Sequence, residues 1–172
     1  MEFNPLDNLW IVLLGLFLIS LPYLYYIIQS NGMESKTTHS FQEFTSEKNV
    51  VLNKVQKWRN HYILGLDTEK NMLIYYKYGQ FPSEITVNLE EVDHASLDVH
   101  YEELKHKKER IKRPEYLNIL LYFKDPKKAV KSISVYDKKE DAKLDDEVSI
   151  ANYWVQTING HLKSGQKIKL AV

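Results

Sequence analysis

The stretch LWIVLLGLFLISLPYLYYII, residues 9–28, decides how the rest of the chain is placed. None of its residues is Asp, Glu, Lys, Arg or His. As a helix rising about 1.5 Å per residue, a segment of this length covers roughly 30 Å, the hydrocarbon thickness of a bilayer. We therefore predict a transmembrane helix over 9–28 and expect everything after it to work within reach of a membrane surface.

The flank before this segment, residues 1–8, contains Glu2 and Asp7 but no Lys or Arg. A cleaved signal peptide has a basic flank, a shorter apolar region and a small-residue cleavage site, so residues 9–28 are predicted to be retained. Lys36 and Lys48 follow within twenty residues of the span, and the positive-inside rule then puts the N-terminus outside. We expect a protein that crosses the membrane once, with its large C-terminal part in the cytoplasm.

The composition excludes several classes of site. Lys plus Arg equals Asp plus Glu at 23 each, which argues against a protein that binds nucleic acid over its whole surface. The sequence contains no Cys, so disulfides, thiolate metal sites and cysteine nucleophiles are excluded. About 44% of the residues are hydrophobic, enough for the part after the span to bury a core.

Residues 29–49 are polar and rich in Ser and Thr, which predicts a flexible linker with a possible short helix near its end. The body that follows alternates polar and apolar residues with a period of two, as β-strands do. The predicted strands are 50–58, 61–66, 72–78, 85–89, 95–102, 116–123 and 130–136. Residues 105–113, between the fifth and sixth strands, are predicted to form an irregular basic connection.

Apolar residues return with a helical period near the C-terminus, which predicts an amphipathic helix over 144–162 and a tail over 164–172. Asp145, Asp146 and Glu147 suit the positive end of its dipole, and Gly165 suits its end. We expect this helix to cover an open end of the sheet structure. The residues predicted to do so are Trp154, Val148, Ala151, Val155, Ile158 and Leu162.

The run VNLEEVDHASLDV, residues 87–99, resembles the strand, acidic turn and strand of bacterial pleckstrin-homology (PH) and GRAM-type domains. Seven predicted strands and a terminal helix carrying Trp154 are similar to the same folds, over about residues 50–163. The run WRNHYILGLD at 58–67 is similar to one in membrane-anchored bacterial proteins. The resemblance implies a mainly β, PH-like antiparallel sandwich or barrel capped by one helix. It also implies binding or scaffolding, although the inositol-phosphate pattern of eukaryotic PH domains is poorly matched.

The densest run of charge is a candidate surface for anionic lipid headgroups or an acidic protein partner, because each basic residue near an anionic leaflet contributes about 1 kcal/mol. A solvated loop, kept soluble by its charges, explains the same residues. The run comprises Lys105, Lys107, Lys108, Arg110, Lys112 and Arg113.

His94, Asp98, His100 and Glu102 fall on one face of a predicted strand, where positions two apart lie roughly 6.6–6.8 Å from each other. Such residues could share a zinc ion, but a solvated outer sheet face accounts for them as well, and we predict no metal. No serine elbow, glycine-rich phosphate loop or cofactor motif is found.

These patterns predict a membrane-tethered, non-enzymatic binding or scaffolding protein that presents a PH-like domain near the bilayer surface. The alternative is an accessory subunit of a larger inner-membrane complex, in which the span itself packs against partners. An enzyme is the less favoured reading, nucleic acid is not an expected partner, and the pattern leaves the oligomeric state open.

Overall fold

The computed structural model describes residues 5–79, 81–106, 109–141 and 143–170, and the side chains of 9–28, 36–79, 81–102, 113–141 and 143–164. The chain begins with helix α1 (Pro5–Glu47), which has 43 residues and is therefore about 64 Å long. Within it Leu9–Ile28 is long and apolar enough to cross a membrane, and the large side chains there are exposed. The predicted apolar helix is thus present.

The expected flexible linker is instead helical, because α1 continues without a break through residues 29–47. Thr37, Phe41 and Phe44 lie at i, i+4 and i+7 and are buried, so this part of the helix has a face that packs. The many Ser, Thr and Gly residues in this segment make its helical stripe hard to recognise in the sequence. Packing of an apolar face outweighs the weak helix propensity of these residues.

Four strands form the first antiparallel sheet, in the order β1-β2-β3-β4. They are β1 (Lys54–Trp58), β2 (Tyr62–Asp67), β3 (Met72–Lys77) and β4 (Ser83–Asn88). A three-residue helical turn at Leu89–Glu91 leads from this sheet to the next. Gly65 on β2 leaves room for Leu52, whose Cδ1 lies 2.6 Å from where a Cβ at that position would stand.

The second antiparallel sheet has three strands in the order β5-β6-β7. They are β5 (Val92–His106), β6 (Glu109–Phe123) and β7 (Lys131–Asp137). All seven predicted strands are therefore present, but residues 105–113 are not an irregular connection. β5 and β6 stay paired as far as His106 and Glu109, because two long antiparallel strands can continue past the sheet that supports them.

The core lies between the two sheets and is closed by helix α2 (Glu147–Leu170). Trp154 and Ile158 on α2 are fully buried against apolar residues of both sheets, including Leu64 and Ile119. α2 begins three residues later than predicted and continues beyond Gly165. With helices of 43 and 24 residues, the chain has mixed α and β structure and is not mainly β.

One residue predicted to cap the core does not do so. Val148 is 38% exposed, whereas Ile150 and Ala151 are buried. The buried side of α2 is centred on Trp154, although the apolar positions spaced three and four residues apart in this sequence leave Trp154 at the edge of their stripe. Turning the helix to bury the largest side chain moves Val148 towards solvent, because burying a Trp removes more apolar area from water.

Candidate functional site: a proximal end, a basic ribbon and a groove

Helix α1 docks on the outer face of the first sheet through a separate apolar cluster. The ring of Tyr76 lies 5.9 Å from that of Phe41 and 5.8 Å from that of Phe44, measured between centroids. Ile63 and Ile74 complete the cluster and are fully buried. The helix that carries the apolar span is thus fastened directly to the sheet.

α1 crosses this face from one end of the sheet to the other. Thr37 lies beside the turn between β1 and β2, where it lines a cavity of about 160 Å³ together with Asn60. The segment after α1 reaches the turn between β2 and β3, where the Val51 N–H donates a 3.0 Å hydrogen bond to the Asp67 carboxylate. Followed back towards Ile28, α1 therefore leaves the domain at the β1–β2 turn.

The long strands β5 and β6 form a two-stranded projection. β7 pairs with β6 only from Tyr116 onwards, so residues 101–106 and 109–114 have ladder partners only in each other among the described residues. We call these residues the basic ribbon. At about 3.4 Å per residue it is roughly 17 Å long from Tyr101 to His106. The register shifts between His100 and Tyr101, because Glu115 of β6 has no ladder partner on β5, and this irregularity beside Pro114 marks the base of the ribbon.

The basic ribbon leaves the domain at the same end as α1. At its base the Lys138 N–H donates to the Glu115 carbonyl at 2.9 Å, and the Lys138 ammonium pairs with Glu102. The following residues reach the β1–β2 turn, because the Tyr62 hydroxyl donates a 3.0 Å hydrogen bond to Asp141. We call this end, made by the β1–β2 turn and residues 137–141, the proximal end.

The structure puts four of the six predicted basic residues into β-ladder positions of the basic ribbon. In the backbone ladder Lys105 lies opposite Arg110, Lys112 lies opposite Glu103, and Arg113 lies opposite Glu102. Lys107 and Lys108 lie outside the described residues. Residues 104–113 hold six of the 23 Lys and Arg but one of the 23 Asp and Glu, so that their formal charge is +5 and that of the remaining chain is −5.

A buried ion cluster holds the proximal end together. The guanidinium of Arg59 pairs with Glu147, lies 3.6 Å from Asp141 and donates to the backbone carbonyl of Lys143. Burial alone would lower the pKa of Arg59, but its hydrogen bond to Glu147 and the charge of Asp141 raise it. Burial alone would raise the pKa of Glu147, yet the same hydrogen bond from Arg59 lowers it.

His61 and Tyr62 lie against the same carboxylate of Asp141. His61 Nε2 is 3.8 Å from Asp141 Oδ1, but burial outweighs this attraction and lowers the pKa of His61. Burial, then the charge of Asp141, raises the pKa of Tyr62. Sequence reasoning missed this cluster, because its members come from the β1–β2 turn and from residues some 80 positions later.

A groove runs between the outer edge of β1 and the first turns of α2. Its volume is about 730 Å³, and a second cleft of about 360 Å³ shares Gln56 and Tyr153 with it. β1 is an edge strand of its sheet. The side of β1 that faces this groove therefore carries no neighbouring strand among the described residues. The sequence contains no pattern that would have shown this groove, because its walls are distant in the chain.

Three of the four residues considered for zinc make other contacts. His94 stacks on Tyr122 with centroids 4.5 Å apart, and His100 stacks on Tyr116 at 5.0 Å. Glu102 pairs with Lys138 at the base of the basic ribbon. Within the described part of the chain, no group of three or more His, Asp or Glu is placed to hold a metal ion.

The geometry thus offers two surfaces, a basic ribbon at the end where α1 leaves the domain and a groove beside an open strand edge. Comparison with models of protein families, with curated proteins and with solved structures finds no match to this chain.

Proposed function

We propose that the protein is a membrane-tethered, non-enzymatic binding or scaffolding protein of the bacterial inner membrane, with its domain on the cytoplasmic side. One observation carries the proposal. α1 is uninterrupted from Leu9 to Glu47, and Phe41 and Phe44 fasten its second half to the first sheet. A domain attached in this way is held at a set height above the bilayer, which suits a protein that presents a surface to partners there.

We further propose that the domain is PH-like. A four-stranded antiparallel sheet, then a three-stranded one, then a C-terminal helix with a buried Trp154 is the order that the resemblance implies. Domains of this kind carry binding surfaces on their loops and edges while the sheets act as a rigid support. The PH-like assignment therefore favours binding over catalysis.

The basic ribbon is proposed to meet anionic lipid headgroups. Ile28 and Thr37, where α1 reaches the domain, are only nine positions apart, which is about 13 Å of helix. The ribbon leaves the same end and extends about 17 Å, which is enough to span that gap. Residues 104–113 carry a formal charge of +5 and the rest of the chain carries −5. An anionic surface therefore attracts residues 104–113 and repels the remainder of the chain.

The test uses the full chain in nanodiscs of phosphatidylcholine with or without 30% phosphatidylserine. Since the protein has no Cys, a Glu109→Cys substitution provides a single attachment point for a nitroxide at the ribbon tip. We expect its collision rate with a lipid-anchored nickel chelate to rise in the anionic discs. High salt should abolish the rise, since the Debye length falls to about 3 Å at 1 M.

A charge variant and a matched control decide the outcome. Changing Lys105, Arg110, Lys112 and Arg113 to Gln should abolish the rise in collision rate. Changing four exposed lysines away from the proximal end to Gln should not; these are Lys124, Lys127, Lys128 and Lys131. Equal effects of the two sets, or no difference between the lipids, would show that the ribbon does not meet the bilayer.

The orientation has a separate test. A Cys introduced at Ser164, an exposed position on α2, should react with a membrane-permeant maleimide but not with a charged one added to intact cells. Reaction with the charged reagent would put the domain outside and remove the cytoplasmic placement.

A further inference from the structure

The outer edge of β1 is a free strand edge in the part of the chain that the structure describes. There β1 pairs with β2 alone, and its link to α2 runs through side chains, because the Trp154 indole N–H donates to Gln56 at 2.8 Å. A helix cannot supply the ladder of backbone hydrogen bonds that a neighbouring strand would. Such an edge is a template for another extended segment. Four of the five residues of β1 are exposed or half-buried.

The groove beside this edge is as large as a typical ligand pocket and has an apolar side. Its volume of about 730 Å³ lies within the range of roughly 300–1,000 Å³ typical of binding pockets. Ile150 is buried at its apolar side, Trp154 is buried in the adjoining cleft, and Tyr153, which lines both, is 50% exposed. Val55 is 47% exposed in the adjoining cleft. Exposed apolar side chains gathered along one cleft are typical of interaction surfaces.

The charges along the groove differ from end to end. Asp145 and Asp146 lie beside the Trp58 end, and neither carboxylate has a cation partner among the described side chains. Three cations line this end as well: Arg59 is paired with Glu147, the Lys57 ammonium lies 3.0 Å from the Thr38 hydroxyl on α1, and Lys143 is left beside the two carboxylates. Lys54 lies at the opposite end. A segment bound here is therefore favoured when a basic residue meets Asp145 and an acidic residue meets Lys54.

We propose that this groove binds an extended segment of a partner protein, about five residues long, which adds to β1 as a fifth strand of the first sheet. Backbone hydrogen bonds to the edge supply affinity, and the groove reads alternate side chains. The charge difference between the two ends sets the direction of the segment. This inference rests on the proposed role as a binding protein, but it does not depend on where the ribbon lies.

The test is selection of a phage-displayed random heptapeptide library on the full chain in phosphatidylcholine nanodiscs, with empty discs as the counter-selection. We expect enriched peptides that alternate apolar and polar residues and carry Lys or Arg near one end. An Asp145→Lys variant should weaken them at least tenfold and should itself select Asp or Glu at that end. The matched control Glu84→Lys makes the same change of charge on β4, the opposite edge of the sheet, and should change affinity less than twofold.

A second measurement does not depend on the variants folding. An enriched peptide is resynthesised with one backbone amide N-methylated at a time. Addition to a strand edge predicts that every second methyl group abolishes binding, because alternate N–H groups face the neighbouring strand. No enrichment over empty discs, an equal effect of all methyl groups, or insensitivity to Asp145→Lys would overturn the proposal. If every second N-methyl group abolishes peptide binding but the nanodisc experiment shows no effect of anionic lipid, only the proposed contact between the ribbon and the bilayer is contradicted.

Discussion

The indole nitrogen of Trp154 on α2 donates a hydrogen bond of 2.8 Å to the side-chain oxygen of Gln56 on β1. These residues are 98 positions apart, and their contact joins the last helix to the first strand. Trp154 is also fully buried among residues of both sheets, so it both fills the core and positions the groove.

Trp154→Ala should therefore lower the free energy of unfolding by about 3–5 kcal/mol, as large-to-small changes of buried aromatics do. Gln56→Ala should cost about 1 kcal/mol, the typical net worth of one hydrogen bond. Urea unfolding of the full chain, followed by far-UV circular dichroism, measures both. Ser149→Ala on the exposed side of α2 is the control; a loss below 1 kcal/mol for Trp154→Ala would mean that α2 is not docked.

Arg59→Met should destabilise the protein by about 3 kcal/mol, near the lower end for a broken buried ion pair. The change leaves Glu147, whose side chain is 4% exposed, without its cation. Met keeps the side-chain length, and both residues bear a similar cost at the positive φ of 48° found here. Combining Arg59→Met with Glu147→Gln should recover part of the loss in a double-mutant cycle, whereas additive effects would contradict the pairing.

Acidification should destabilise the protein through His61. Burial lowers the pKa of His61 in the folded state, so below its ordinary value of about 6.5 the unfolded chain binds a proton that the folded chain does not. Stability should therefore fall as the pH drops through 6.5 towards the folded pKa. His61→Gln should flatten this slope in urea titrations carried out at each pH, and an unchanged slope would contradict the prediction.

Changing both Phe41 and Phe44 to Ala should release α1 from the first sheet. Spin labels at Ile28→Cys and Val130→Cys then report the distance between the end of the span and the domain. We expect the distance distribution to become at least twice as wide, because the two rings that contact Tyr76 are lost. Gln42→Ala and Glu43→Ala on the exposed side of the same turn are the controls, and an unchanged width would refute the docking.

The strands and the C-terminal helix could be predicted because their patterns lie within one continuous segment each. Polar and apolar residues alternate with a period of two in 85–89, and apolar residues recur with a period near 3.6 in 144–162. The second half of α1 could not, since Thr37, Phe41 and Phe44 form a stripe only once the sheet is there to receive it. The rotation of α2 about its own axis could not be predicted for a similar reason. Burying Trp154 removes more apolar area from water than burying Val148 does, and this difference matters only once the core is present.

The candidate sites divide in the same way. The basic run was visible as a concentration of charge, but its form as a paired ribbon depends on cross-strand partners such as Lys105 and Arg110. Neither the Arg59 cluster nor the groove beside β1 leaves a local pattern. Each joins segments that are far apart in the chain and meet only after both sheets and α2 have packed.

The unbroken course of α1 has a mechanical consequence. A span of fixed length leans over when the surrounding lipid is thinner than its apolar stretch and stands upright when it is thicker. Because Phe41 and Phe44 clamp the same helix to the first sheet, the domain must lean with it. If the protein spans the membrane as proposed, the thickness of the bilayer therefore sets the tilt of the domain. That tilt determines the angle at which the groove and the ribbon face their partners.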